Sequence, residues 1–145
     1  MFIDYNLALV VGGGLSFTAA LLHLAVVAGG PSWYHLFGAG RGFVRAAQAG
    51  RWYPAVITLA IAAVLAVFAL YALSAAALMP ALLLLRPVLC MITLIYLIRG
   101  VAGPLVLRNT GRSDRFIWIS SAVCLVFGLV HLLGLVQVWT LLDER

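Results

Sequence analysis

The chain contains no lysine and only four acids, Asp4, Asp114, Asp143 and Glu144. Charged residues make up 9% of its 145 positions, where a soluble domain carries roughly 25%. So few charges cannot cover a surface facing water, which excludes a soluble globular fold. No acid falls within a long apolar run, which excludes a carboxylate proton relay or a two-metal carboxylate centre inside a membrane. No stretch of basic residues is interleaved with aromatics, so nucleic-acid binding is set aside. The two cysteines, Cys90 and Cys124, lie in apolar segments and do not form a secreted disulfide framework.

What the chain has is apolar length. Hydrophobic residues reach 66% and mean hydropathy is +1.17. Four runs are long enough to span a bilayer core, which needs ~20 apolar residues. They cover about residues 6–29, 54–78, 80–99 and 116–142. The first run has no basic stretch before it and is too long for a signal peptide, so it reads as a helix. Gly29-Gly30-Pro31 stops it, and Pro54 and Pro80 suit first helical turns. Gly100 and Gly103-Pro104 close the third run, and Ser113 or Asp114 caps the fourth. With only a few residues between them, the second and third spans are expected to form an antiparallel hairpin.

The expected fold is therefore all-α, a four-helix transmembrane bundle in a single domain over 1–145. Arg41, Arg45 and Arg51 occupy the 24-residue connection from Gly30 to Tyr53. Arg108, Arg112 and Arg115 occupy the connection from Gly100 to Arg115. The positive-inside rule puts both connections in the cytoplasm as membrane-surface arginines, with both termini outside. Trp33, Trp52, Trp118, Tyr34 and Tyr53 flank that boundary, and Tyr5 and Trp139 the other. Within the longer connection, Phe37, Val44 and Ala47 share one helical face, with Arg41, Arg45 and Gln48 on another. This pattern fits a short helix along the inner headgroup layer, while Gly38, Gly40 and Gly42 favour an irregular loop.

Ionisable groups at membrane depth are the candidate sites. At ~1.5 Å per residue, His23 lies ~9 Å below the inner boundary and Arg86 ~9 Å below the outer one, with His131 ~16 Å in. Arg86 has two readings: its head snorkels to the outer headgroups, or it meets an anionic ligand. Mirroring the chain about residue 108 pairs Arg86 with His131 and Cys90 with Cys124, with Tyr71 and Ser74 in the same leaflet. This gives an expected ligand or lipid site of Arg86, His131, Tyr71 and Ser74 in the outer half. Arg86, Cys90 and Thr93 share one face, as do Ser121, Cys124, Gly128 and His131. Gly12, Ser16, Ala19 or Ala20, and His23 form a third small-residue stripe, and Ala55, Ala62, Ala66 and Ala69 a fourth. Such faces also serve simply to pack helices closely, within the chain or between copies.

No catalytic constellation is visible, so the reading is non-enzymatic. Metal ligands are scattered in depth, and no metal site is expected. His35 falls in Trp33-Tyr34-His35-Leu36-Phe37 and reads as an interfacial side chain. One alternative is a bis-histidine haem b held by His23 and His131. Another is a small homodimeric transporter, for which no internal repeat is present. The expected partners are membrane lipids, another copy or a partner membrane protein.

Four short pieces carry a resemblance: Phe37-Gly38-Ala39-Gly40, Pro54-Ala55-x-x-Thr58, Leu70-Tyr71-Ala72-Leu73-Ser74 and Tyr96-x-x-Arg99-Gly100. Together the chain resembles a group of small, four-helix bacterial inner-membrane proteins. The resemblance implies that membrane setting and no activity, and it supplies no catalytic residue. The group often has an acid after Phe-Gly-Ala-Gly, where this chain has Arg41.

Overall fold

The computed structural model describes residues 5–143, without the side chain of Asp143. Asp4, Glu144 and Arg145 lie outside the described residues. The elements are α1 (Leu7–Leu36), α2 (Arg41–Gln48), α3 (Tyr53–Ala75), α4 (Leu85–Val106) and α5 (Asp114–Val138), then a 3-10 turn (Leu141–Asp143). α1, α3, α4 and α5 are each long and apolar enough to cross a membrane, the shortest having 22 residues, or ~33 Å at helical rise. No more than 33% of the most apolar window of any of them is buried by protein. The rest of that surface needs a lipid solvent, and the chain is a multi-pass membrane protein.

Local chemistry sets the ends. Asn6 caps α1 by accepting from the Leu9 N–H at 2.9 Å. The backbone leaves helical geometry at Gly30 (φ 67°, ψ −152°) and resumes at Pro31. The expected break is there, but a second helical segment follows it. Ser113 caps α5 by accepting from the Phe116 N–H at 3.2 Å.

The connection between α3 and α4 differs from expectation. Pro80 does not begin a helix, and the two helices do not form a tight hairpin. α3 ends at Ala75 in a Schellman turn, with Ala77 left-handed (φ 66°), the Ala77 N–H on Ser74 O and the Leu78 N–H on Leu73 O. Residues 76–84 then form a folded loop. Ser74 Oγ donates to Pro80 O at 2.8 Å and accepts from the Leu82 N–H at 3.1 Å, and Tyr71 Oη donates to Leu83 O at 3.1 Å.

The helices pack as two pairs, α1 with α3 and α4 with α5, joined chiefly by α1 against α5. α3 and α4 meet through large side chains, with the Phe68 and Tyr96 rings edge-to-face at 5.6 Å. Small residues mark the crossings. A Cβ at Gly13 would lie 3.2 Å from Ala69 O, and one at Gly100 would lie 2.7 Å from the Leu125 N. Gly12, Ser16, Ala20, Ala62, Ala69, Ser121 and Gly128 are all buried, so these small faces hold this chain to itself.

The short helix in the first connection is present as α2. Its Val44 face, with Phe43 and Ala47, packs on Val26 and Tyr34 of α1. Phe43 also meets Tyr53 edge-to-face at 5.9 Å. Protein thus covers its apolar side, and Arg41, Arg45 and Gln48 are exposed.

Candidate functional site

The expected outer-half site is not assembled. The Arg86 guanidinium lies 3.9 Å over the Trp139 ring, a cation–π stack worth ~0.5–2 kcal/mol. Tyr71 and Ser74 hold the 76–84 loop. His131 lies eight residues before Trp139, ~12 Å along α5 from the Arg86 level. The mirror about residue 108 is displaced because α4 continues to Val106. The contacts Arg86–Trp139, Leu97–Gly128 and Gly100–Leu125 centre near residue 112 instead. For the same reason Cys90 packs beside Leu89 and Leu135 while Cys124 lies eleven residues earlier on α5, and both are free thiols.

His23 and His131 do not face each other. His131 is fully buried against Gly12, where a Cβ would lie 2.9 Å from its Cε1. His23 is eleven residues further along α1, ~16 Å away by helical rise, with its Nδ1 2.7 Å from Ala19 O. The geometry of a shared haem is therefore not built from this pair.

His131 belongs to a buried polar cluster. Its Nδ1 lies 2.8 Å from Phe127 O; a carbonyl only accepts, so that nitrogen carries the proton. Its Nε2 is buried without a partner among the described residues. The Tyr96 ring lies 5.2 Å from the imidazole and 5.4 Å from Phe127. Tyr96 Oη and Ser16 Oγ share a hydrogen bond at 2.9 Å. The cluster binds α1, α4 and α5 at one level.

Arg99, which the sequence places at the end of the 80–99 run with no site role, lies inside a span. It sits seven residues before the end of α4, half-buried, and donates from Nη1 to Ser121 Oγ and from Nη2 to Ser120 Oγ, both at 3.2 Å. Gly103, one turn on, leaves the space this guanidinium fills: a Cβ there would collide with Arg99 Nη1 and Ser121 Oγ. The apolar residues from 101 to 107 were the signal that the span continues.

Beside this cradle opens a pocket of about 380 Å³, lined by Pro104, Arg108, Asn109, Arg112, Asp114, Ile117 and Trp118. Pro104 adjoins Gly103, and Arg99 is linked to the pocket wall by a relay: its Nη2 donates to Ser120 Oγ, which donates to Ile117 O at 3.2 Å, while Arg99 itself does not line the pocket. The other arginine-bearing connection meets it here. The Arg41 N–H donates to Gly111 O at 3.3 Å, and a Cβ at Gly40 would lie 2.7 Å from Thr110 O. Both arginine connections therefore occupy one end of the molecule and touch. No protein family, curated protein or solved structure matches the chain.

Proposed function

We propose that the chain is a non-enzymatic protein of a bacterial inner membrane that binds an anionic phospholipid where α4 and α5 meet at the arginine end. That end faces the cytoplasm and both termini lie outside. The observation that carries this reading is the pocket lined by Arg108, Arg112 and Trp118. Paired guanidinia supply donors for phosphate oxygens, and an indole suits the headgroup level. Exposed Val101, Leu105 and Trp118 nearby offer apolar surface to acyl chains. Orientation follows from the arginine excess of the two connections. A ligand among Arg86, Tyr71 and Ser74 would have to displace Trp139 and unfasten the 76–84 loop. The arginine end asks for neither.

The test is native mass spectrometry of the full chain released from mild detergent. Bound anionic phospholipid is expected, and Arg108→Gln with Arg112→Gln should remove most of it while leaving the fold intact. An unchanged lipid complement in that variant refutes the reading.

A further inference from the structure

The charges around the pocket are unequal, and the imbalance bears on which lipid is bound. Arg108 and Arg112 line it against one carboxylate, Asp114. The lining alone, two guanidinia and one carboxylate, leaves one positive charge, and Arg99, linked to the wall through Ser120, adds a second. Arg41, beside Gly111, and Arg115 are exposed and strengthen the local field without lining the pocket. Arg99 is the informative member. A guanidinium has five N–H donors, and two go to Ser120 and Ser121. Among the described residues no carboxylate pairs with Arg99, so a half-buried charge in a membrane span is met by two neutral hydroxyls. Such a charge is costly unless an anion compensates it.

Resting on the lipid reading above, we infer that Arg99 makes the site selective for a phosphomonoester head, which carries close to two negative charges at neutral pH. A phosphodiester carries one, and its headgroup alcohol stands between the phosphate and the seam. The terminal phosphate of a monoester reaches past the Arg108–Arg112 mouth toward Arg99.

The experiment incorporates the full chain into phosphatidylcholine nanodiscs doped equally with phosphatidate or phosphatidylglycerol and measures retained lipid. Phosphatidate should be preferred by about tenfold, as one additional charge-assisted contact supplies. Arg99→Gln should abolish that preference while phosphatidylglycerol is still held. Arg99→Lys keeps the charge on a flexible stem and should retain part of the preference, which covers the case in which the glutamine variant does not fold. Glycerol 3-phosphate is the soluble arm. Binding it in wild type but not in Arg99→Gln supports the same head chemistry from a soluble source. Equal retention of both lipids by wild type overturns the inference and leaves the lipid reading standing, as does an unchanged preference in both Arg99 variants. Retention of neither lipid, with no glycerol 3-phosphate bound, overturns both.

Discussion

Gly12 and His131 meet at a close polar junction, where a Cβ on residue 12 would lie 2.9 Å from the imidazole. The imidazole lies where any side chain on residue 12 would stand, so Gly12→Val should destabilise the protein by ~1–3 kcal/mol through overpacking. His131→Ala also costs stability, since it empties a fully buried site. Combined, the two should cost less than their sum, because each relieves the other. Thermal unfolding of the four proteins in one detergent measures this, and strict additivity would show that the residues do not meet. Tyr96→Phe removes the bond to Ser16 and should cost ~1 kcal/mol. Ser16→Ala on top of it should add little, since the partner is already gone. The sequence marked His131 and the small residues of this junction through helical spacing. Tyr96 stands in the piece Tyr96-x-x-Arg99-Gly100 but has no site role in the sequence, since it looks like any aromatic in an apolar helix until its ring is seen between Phe68 and Phe127.

At the scale of elements, α1 depends on one backbone position. Gly30 holds φ 67° and ψ −152°, a region open essentially to glycine alone, and other residues pay ~1–3 kcal/mol there. Gly30→Ala should straighten or swing the 31–36 segment, pulling Tyr34 off Val44. Lowered thermal stability together with new protease cleavage between α1 and α2 is the expected readout, and wild-type behaviour in both would count against the break. The register of α4 on α5 gives a second test. Position 90 lies opposite residue 135, some ~16 Å along α5 from Cys124, far beyond the ~6 Å Cα separation a disulfide spans. Mild oxidation should leave both thiols available to alkylation in the unfolded protein, with no internal crosslink by mass. The two misreadings here share one origin. Gly100, Gly103 and Pro104 look like a helix stop, but the glycines serve close packing against Leu125 and Ser121. A helix stopped at Arg99 sets the mirror point at 108 and levels Arg86 with His131, whereas α4 continued to Val106 sets it near 112 and leaves Arg99 inside the span. The 76–84 loop was hidden for a different reason. Its residues are as apolar as the helices around it, and hydropathy cannot separate a leucine in a turn from one in a helix.

For the whole molecule, four apolar runs and an uneven distribution of arginine were enough to read the number of spans and the clustering of basic connections at one end. Pairing was not readable, because every long helix presents apolar residues on all sides and no amphipathic stripe says which neighbour it wants. The pairs rest on glycine, alanine and serine faces, and most of these are consumed inside one copy. A homodimer built on those faces would have to unpack α1 from α3 or α4 from α5. Native mass spectra should therefore be dominated by the monomer, and a dominant dimer would require a different surface.

The two ends of the molecule demand different solvents. One carries guanidinium groups over its connections, while the link between α3 and α4 offers Leu78, Leu83 and Leu84 to its surroundings. Burial of three such leucines in lipid is favourable by ~1.5–3 kcal/mol each, so this link is expected to lie within the lipid rather than in water. Proteases added from that face should find nothing to cut between α3 and α4, whereas the arginine-bearing connections stay open to trypsin from the other.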